Sequence, residues 1–538
     1  MPRAPNSQRA NDADAAARLI EALRNPSCFA HEVSGLELLE THISWVLLTG
    51  PYAYKMKKPV KLPFLDFSTL ARRRECCAEE LRINRRLAPE LYLAVVPITG
   101  TADAPVMGGD GEAIEYAVQM VQFPGDARLD GVADRGELGE PALRRFAARM
   151  AAFHADVDMA PEDSPFAGAE EQRRDVLDNF AALADSPLAA PVRDELEEIE
   201  RFSRASLERL GRRFAERKRD GFVRECHGDL HLANLALIDG EITAFDAIEF
   251  NEAFRWVDVM NEIAFLVMDL DYHRLAHLAR LFLNHYLEHT GDYAGLDLLA
   301  HYRVYRAMVR AKVAAIRARQ CEPDTPAHSA ARDKLLGHVA LAHARLAGPA
   351  RTSLVITHGF SGSGKSWLSE RLAMHCDAVR VRSDAERKRP GAQADGDLYG
   401  AAATERTYGA VAAGVRAAIT AGYPAIADAT FLDRRRREQF RALADELGVP
   451  FHILDLRAPR ELLEARVARR TSERSDISDA DLQVLARQLA AAEPLGEDEL
   501  GCAVAVDVAA GDDMDDVARG LLARGTAGLA PDAMAGRG

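Results

Sequence analysis

The chain has 538 residues, with 68 Lys and Arg against 83 Asp and Glu and a formal net charge of −15. This length exceeds what one hydrophobic core supports, so we expect more than one domain. The acidic balance argues against a non-specific nucleic-acid binder, and no apolar run is long enough to span a membrane. Seven scattered cysteines without a C-x-x-C pair, and a polar N-terminus, predict a reduced cytoplasmic protein.

The N-terminal part of the chain predicts a disordered start, one helix and a β-hairpin. Residues 1–13 are polar and are expected to be disordered, and a helix is predicted from Asp14 to Leu23. The apolar or aromatic runs Ser44–Leu48 and Tyr52–Lys57 flank a Thr-Gly-Pro turn. This pattern predicts two paired strands.

A long helix is predicted after the hairpin, from about Thr69 to Leu87. It carries Glu80 on its inward face, where a carboxylate needs a partner. Lys55 is the natural candidate, and strand alternation places Lys57 on the same face as Lys55. A further strand is predicted over Glu115–Gln122, before a mostly helical region.

A possible catalytic motif lies within that helical region. Asp229 and Asn234 have the D-x-x-x-x-N spacing of a kinase catalytic loop, and the strand pair that follows them ends at Asp246. An ionised Asp229 can accept the proton of an attacking hydroxyl. Asn234 and Asp246 offer hard oxygen ligands to Mg²⁺. His227, just before this loop, is interpreted as a structural histidine that holds it.

Residues 40–320 resemble the aminoglycoside phosphotransferase and fructosamine kinase group, which has a two-lobed, protein-kinase-like α+β fold. The resemblance rests on Ala53-Tyr54-Lys55, the helix around Glu80, the His227–Asn234 loop and Asp246. It implies an ATP-dependent transfer of phosphate to a hydroxyl group.

The same resemblance implies roles for several further residues. Lys55, paired with Glu80, would grip the α/β-phosphates, with Lys57 as the alternate lysine. Gln122 and Phe123 would lie near the adenine. No G-x-G-x-x-G loop precedes the lysine, whereas protein kinases need one. This departure argues for a small-molecule substrate.

A phosphate-binding loop opens the C-terminal part of the chain, after a linker at 347–352. The predicted strand Ser353–Thr357 leads into G-x-x-x-x-G-K-S and a helix through Leu372. Lys365 is expected to reach the β/γ-phosphates, and the Ser366 hydroxyl is expected to bind Mg²⁺. The predicted nucleotide-binding residues are Gly359, Phe360, Ser361, Gly362, Ser363, Gly364, Lys365 and Ser366.

Strands alternate with helices after this loop, which predicts an α/β domain with a parallel sheet and ligands at the carboxyl ends of its strands. Asp384 and Asp428 each follow a predicted strand, and a helix from Pro459 ends in arginines at Arg470. Asp384 has an alternative interpretation as no more than a helix N-cap.

This domain resembles the small P-loop kinases, particularly the polynucleotide 5′-kinases, zeta-type toxins and chloramphenicol phosphotransferase. The resemblance implies that Asp384 is the general base, with Arg387 on the substrate side. It places Asp428 near Mg²⁺. Arg470 and Arg474 match the lid arginines that stabilise charge on the transferring phosphoryl group.

The overall order resembles a bacterial family of predicted bifunctional phosphotransferase/ATP-binding proteins. We therefore predict an aminoglycoside-phosphotransferase-like kinase at 14–348, a P-loop kinase at 350–523 and a flexible tail at 524–538. Both domains would use ATP and Mg²⁺ to phosphorylate a hydroxyl of a small molecule. Two alternatives stay open: a nucleic-acid 5′-hydroxyl end-processing kinase, and a nucleotide sensor with one non-catalytic domain. The acceptors and the oligomeric state are not predicted.

Overall fold

The computed structural model describes residues 5–62, 65–347, 352–389, 400–473, 481–508 and 514–523. The chain divides into two compact units. The first comprises residues 1–142, 153–171 and 212–262, and the second comprises 143–152, 172–211 and 263–538. The second unit therefore contains the domain after the predicted linker together with several helices that precede the linker.

The first part of the chain forms a sheet with one long helix against it. Its elements are α1 (Pro5–Ala22), β1 (Glu37–Glu40), β2 (Ser44–Leu48), β3 (Tyr52–Lys57), β4 (Lys61–Leu62), β5 (Leu65–Asp66), α2 (Leu70–Asn84), β6 (Tyr92–Thr101), β7 (Ala104–Met107) and β8 (Ala113–Val121). The main sheet is antiparallel, in the order β1-β2-β3-β8-β6-β7.

The observed bounds of β2 and β3 match those of the predicted hairpin. Val46 of β2 lies opposite Lys55 of β3. Helix α2 begins after Thr69, whose side chain accepts a hydrogen bond from the Arg72 N–H as an N-cap. The main difference from the prediction is at the start of the chain, where α1 begins at Pro5 rather than Asp14.

Helices dominate the middle of the chain, which also contains two short antiparallel strand pairs. The elements are α3 (Leu129–Asp134), α4 (Glu140–Asp156), α5 (Ala169–Ala184), α6 (Arg193–Arg219), β9 (Val223–Glu225), β10 (Leu235–Ile238), β11 (Glu241–Ala244), β12 (Trp256–Asp258), α7 (Val259–Tyr272), α8 (Ala276–Thr290), α9 (Leu296–Gln320) and α10 (Pro326–Ala344). The pair β10–β11 is the strand pair predicted before Asp246.

The C-terminal part is an α/β domain. Its elements are β13 (Leu354–His358), α11 (Lys365–His375), β14 (Val379–Arg382), α12 (Ser383–Lys388), α13 (Ala401–Thr420), β15 (Ala425–Asp428), α14 (Arg434–Leu447), β16 (Phe451–Arg457), α15 (Arg460–Glu473), α16 (Leu482–Ala491), α17 (Glu497–Leu500), β17 (Ala503–Asp507) and α18 (Met514–Ala523). The tail predicted at 524–538 lies outside the described residues.

The five strands of this domain form a parallel sheet in the order β14-β15-β13-β16-β17, which confirms the predicted sheet. Val355, Ile426 and Leu454 of its central strands are fully buried and pack with Leu368 and Leu372 of α11. Because all strands run the same way, the P-loop, Asp384 and Asp428 come to one edge of the sheet.

Strand β14 lies at the outer end of this sheet, beside helix α8 of the same unit. The Asn284 amide of α8 bonds to the strand on both sides. Its Nδ2 donates to the Ala378 carbonyl at 3.1 Å, and its Oδ1 accepts from the Arg380 N–H at 2.7 Å. The side chain thus satisfies two backbone groups that an edge strand would otherwise leave without a sheet partner.

Candidate active sites

The first candidate site is built around two lysines of β3 and one glutamate of α2. Lys55 Nζ lies 2.7 Å from Glu80 Oε1, so the predicted ion pair is present, and Lys55 also contacts the carboxylate of Asp246. Lys57 is fully buried, with its Nζ 2.6 Å from Glu80 Oε2 and in contact with Glu249. Glu249 was not singled out from the sequence.

The surrounding charges keep both lysines protonated. Burial alone would lower the pKa of Lys55, but the carboxylates of Asp246 and Glu80 outweigh it and hold that pKa well above its usual value. The pKa of Lys57 is also raised, because Glu249 and Glu80 outweigh its burial. Lys57 therefore belongs to a closed ion-pair cluster, whereas Lys55 connects that cluster to Asp246.

The loop after β9 brings the predicted aspartate and asparagine together. Asn234 Nδ2 donates to Asp229 Oδ2 at 2.8 Å and to the Asp229 carbonyl at 3.1 Å. His231 Nε2 lies 3.2 Å from the same Oδ2 atom. The carboxylate of Asp229 is thus oriented by two neighbours while about a third of the side chain stays exposed, at 34%.

A glutamate that was not predicted from the sequence binds the backbone at the start of this loop. Glu262 of α7 is fully buried, and its two oxygens accept from the His227 N–H at 2.7 Å and the Gly228 N–H at 2.9 Å. His227 Nε2 lies 2.9 Å from the Phe245 carbonyl, and burial lowers the pKa of His227. The histidine therefore has contacts that suit a structural role.

Gly228 has φ +86°, and a Cβ there would lie 2.6 Å from the Phe254 carbonyl oxygen. Only glycine fits this close backbone approach.

The backbone at Asp246 is strained and held from both sides. Its φ of +63° is in the left-handed region, which costs free energy for a non-glycine residue. The Tyr92 hydroxyl accepts from the Asp246 N–H at 3.0 Å, and Asn84 Oδ1 accepts from the Ala247 N–H at 2.9 Å. Asn84 is one turn after Glu80, so α2 orients both Lys55 and the segment after Asp246.

The two residues predicted near the adenine lie just beyond β8. Gln122 Oε1 accepts from the Gly50 N–H at 2.9 Å and so ties this segment to the β2–β3 turn. The Phe123 ring lies 5.2 Å from the Phe245 ring, immediately before Asp246. Phe123 therefore lies beside the segment that leads to Asp246, and Gln122 lies beside the β2–β3 turn.

The second candidate site is a cavity of about 650 Å³ beside the P-loop. It collects most of the residues that the sequence predicts for this domain: Ser361, Gly362, Gly364, Lys365, Ser366, Asp384, Arg387, Asp428 and Arg470. Arg474 lies outside the described residues. The other predicted loop residues, Gly359, Phe360 and Ser363, complete the turn between β13 and α11. Gly359 has φ +147°, and a Cβ there would lie 2.7 Å from the Leu456 carbonyl oxygen.

Lys365 is buried at the start of α11, and its Nζ donates to the Phe360 carbonyl at 2.6 Å. Burial lowers the pKa of Lys365 to about 8, although the nearby carboxylates of Asp428 and Asp384 act in the opposite direction. The nearby carboxylates thus offset only part of the effect of burial, and Lys365 hydrogen-bonds to a backbone carbonyl.

The two aspartates of the cavity differ in their surroundings. Asp428 is buried and its Oδ2 accepts from the Ser369 hydroxyl at 3.0 Å. Asp384 is in the first turn of α12, whose N-cap position is Arg382. The capping interpretation of Asp384 is therefore wrong by position, since the residue lies inside the helix.

Several cavity residues were not predicted from the sequence. Gln488 of α16 accepts from the Ser361 N–H at 2.9 Å and so fixes the P-loop from a distant helix. Arg466 of α15 donates to the Gly362 carbonyl at 3.4 Å. Further unpredicted lining residues are Glu370, Arg380, Arg382, Tyr408 and Arg469. No motif marks these residues, and most of them are well separated from the P-loop along the chain.

The two domains match two different kinase-type families. Residues 64–299 match the model of the phosphotransferase enzyme family (APH), and residues 354–495 match that of an AAA domain (AAA_33). These matches confirm the predicted order, a protein-kinase-like phosphotransferase domain followed by a P-loop kinase domain.

The chain is 30% identical over 472 residues to the uncharacterized proteins Rv2004c of Mycobacterium tuberculosis (strain H37Rv) and Mb2027c of Mycobacterium bovis. Each alignment covers 84% of this chain and 90% of the relative. The chain belongs to the same family as these mycobacterial proteins.

Solved structures of kinases are also similar to parts of the chain. The amicoumacin kinase hAmiN is 15% identical, with 63% of this chain and 96% of that chain covered and a TM-score of 0.39. A sugar kinase from Janibacter sp. HTCC2649 is 21% identical, with 34% and 99% covered and a TM-score of 0.27. Among the described residues, no helix combines the length and apolar character needed to cross a bilayer.

Proposed function

We propose that both domains are active kinases that use ATP and Mg²⁺ to phosphorylate a hydroxyl group of a small molecule. One observation carries this proposal: each site brings a lysine, aspartates and further side-chain oxygen atoms close together. These groups fit phosphate binding, proton acceptance and Mg²⁺ binding. Bound Mg·ATP would supply the γ-phosphoryl group and the charge neutralisation that its transfer needs. The residues of this chain would bind and orient the nucleotide and the acceptor.

In the first site, we assign phosphate binding to Lys55 and the proton-accepting role to Asp229. Lys55 is favoured over Lys57 because Lys57 is enclosed between Glu80 and Glu249. Asn234 and Asp246 fit Mg²⁺ because both offer oxygen atoms, the ligands that this ion prefers. The segment at Gln122 and Phe123 is the proposed adenine contact.

In the second site, the backbone N–H groups of the P-loop and the positive end of α11 would hold the phosphates. Ser366 and Asp428 supply the oxygen ligands that suit Mg²⁺. Asp384 is the proposed general base and Arg387 the substrate-side arginine. Arg470, with Arg474 from the sequence alone, would stabilise charge on the transferring phosphoryl group.

A small-molecule acceptor is supported by the size of the second site and the charge of the chain. A cavity of about 650 Å³ is within the range of small-ligand pockets. The net charge of −15 opposes contact with a polyanionic strand. A nucleic-acid 5′-hydroxyl acceptor is the second candidate, because the cavity wall carries Arg387 and three arginines of α15.

The test is a phosphorylation screen of the full chain with γ-labelled ATP and Mg²⁺ over metabolite alcohols, aminoglycosides and 5′-hydroxyl oligonucleotides. Each labelled product is assigned to a site with the Asp229→Asn and Asp384→Asn variants. The exposed aspartates Asp110 and Asp445 provide matched Asp→Asn controls. We expect small-molecule products, some lost with Asp229→Asn and others with Asp384→Asn. Labelled oligonucleotides alone, or products from one site only, would contradict the proposal.

A further inference from the structure

A buried carboxylate of helix α8 reaches the P-loop site. The family match to the phosphotransferase domain includes α8, yet this helix belongs to the same compact unit as the P-loop domain. Glu288 is the residue concerned. Its side chain is 8% exposed and lies against the two arginines of β14.

Each oxygen of Glu288 takes one of these arginines. Arg380 Nη2 donates to Oε2 at 3.0 Å, and Arg382 Nη1 donates to Oε1 at 2.9 Å. Burial opposes ionisation, but the two guanidinium charges hold the pKa of Glu288 below its usual value. The carboxylate is therefore ionised and bridges both arginines.

Both arginines line the cavity and lead to the residues that we assign to the metal side. Arg380 Nη1 donates to the Ser366 carbonyl at 2.9 Å. Arg382 Nε lies 3.8 Å from Asp428 Oδ2, at the outer limit of an ion pair. Glu288 is thus one residue removed from each of the proposed metal ligands, Ser366 and Asp428.

We propose that Glu288 is a positioning residue of the P-loop site, which keeps Arg382 from closing on Asp428 and holds Arg380 against Ser366. The inference rests on the proposed use of Mg·ATP by this site. Without the Glu288 carboxylate, the Arg382 guanidinium still has the carboxylate of Asp428 at 3.8 Å and is expected to shift towards it. A guanidinium paired with Asp428 competes with Mg²⁺ for the same oxygens. A helix of the first kinase domain thereby sets the metal requirement of the second.

The decisive variant is Glu288→Gln in the full chain, made in a Lys55→Ala background so that nucleotide binding reports on the P-loop site. We measure ATP binding by calorimetry while Mg²⁺ is titrated, and ATP binding without Mg²⁺. Substitutions of residues that orient metal ligands typically cost 10–100-fold in metal affinity. We expect the Mg²⁺ requirement to rise by about tenfold or more, with metal-free ATP binding changed much less.

Two further variants separate positioning from general damage. Glu446→Gln removes the exposed ion pair with Arg416 in the same domain and is expected to leave the Mg²⁺ requirement unchanged. Adding Arg382→Gln to Glu288→Gln removes the competing guanidinium and is expected to restore much of the Mg²⁺ affinity. Non-additivity of this kind is the signature of two residues that act through each other.

An unchanged Mg²⁺ requirement in Glu288→Gln, or no recovery on adding Arg382→Gln, overturns the inference. If Glu288→Gln does not fold, Glu288→Asp takes its place: the shorter side chain keeps the charge but cannot span both arginines, and an unshifted requirement again overturns the inference. ATP binding by the Lys55→Ala parent protein is measured first. If it shows no Lys365-dependent Mg·ATP binding, the proposed function of this site fails and the inference falls with it.

Discussion

The two lysines that we assign to ATP phosphates are held in opposite ways. Lys55 lies between the carboxylates of Glu80 and Asp246, which raise its pKa. Lys365 donates to a neutral carbonyl, that of Phe360, and burial lowers its pKa to about 8. The carboxylates around Lys55 outweigh the effect of burial on its pKa, whereas those near Lys365 do not.

This difference follows from how each lysine is presented. Lys55 is on a strand beside α2, so an acidic residue of the helix can meet it. Lys365 is at the first turn of α11, where the helix end is itself positive and favours an external anion. The first site should therefore be organised before ATP binds, and the second should respond more strongly to nucleotide, metal and pH.

The largest effect is expected from removing each lysine in turn. Lys365→Ala should abolish nucleotide binding at the P-loop site and leave the first site intact, because no other P-loop residue carries a positive charge. Lys55→Ala should do the reverse. ATP binding stoichiometry, measured by calorimetry on the full chain, should fall from two to one in each variant. The exposed Lys334→Ala is the control. A Lys365→Ala protein that still bound ATP at both sites would remove the P-loop assignment.

The next largest effect concerns the proton acceptor of the first site. Asp229→Asn keeps the shape of the side chain and loses the ability to accept a proton. Turnover on a verified acceptor of this site should fall by roughly a hundredfold or more. The thermal unfolding midpoint should change little, which a calorimetric scan checks. Turnover equal to that of the parent protein would exclude Asp229 as the base.

Substitution of the two aspartates of the second site should have different kinetic effects. Asp384→Asn should lower turnover with ATP affinity nearly unchanged, whereas Asp428→Asn should raise the Mg²⁺ concentration required for activity. Titration of Mg²⁺ against both variants tests the assignment. A swapped pattern would reverse the two roles, and two curves like that of the parent would reduce both residues to structural ones.

The smallest effect is a difference in pH dependence. With a pKa of about 8, Lys365 of the ATP-free protein loses its positive charge as the pH rises through 8. Bound phosphates would keep the lysine protonated. ATP affinity at this site should then fall by up to about tenfold per pH unit above pH 8. The first site should not respond in this window, because the pKa of Lys55 is raised. Binding measured from pH 7 to 10 in Lys55→Ala and Lys365→Ala backgrounds separates the two sites. Equal slopes at the two sites would contradict the assigned difference between Lys55 and Lys365.

Much of this architecture is predictable from local patterns. The β2–β3 hairpin, the P-loop with its strand and helix, and the β10–β11 pair before Asp246 are encoded by short runs of residues. The Lys55–Glu80 pair was found because helical periodicity put a carboxylate on a buried face. In each case the signal lies within a few residues of the feature.

The unpredicted residues share the opposite property. Glu262 binds the N–H groups of His227 and Gly228, and Glu288 binds arginines more than ninety positions away along the chain. A lone glutamate on an apolar helix has no spacing that reveals its partner. These contacts are set by packing between distant segments, so only the three-dimensional structure identifies them.

The hydrogen bonds of Asn284 to β14 affect which fragments of this protein should remain monomeric. A fragment that begins at the linker would contain the whole P-loop sheet but would lose the amide that occupies the outer side of β14. The N–H of Arg380 and the carbonyl of Ala378 would then face solvent along an open strand. Such a strand is a template for pairing with another copy. Dissection at the sequence boundary would thus favour self-association, and a cut that keeps residues 263–347 with the P-loop domain would avoid it.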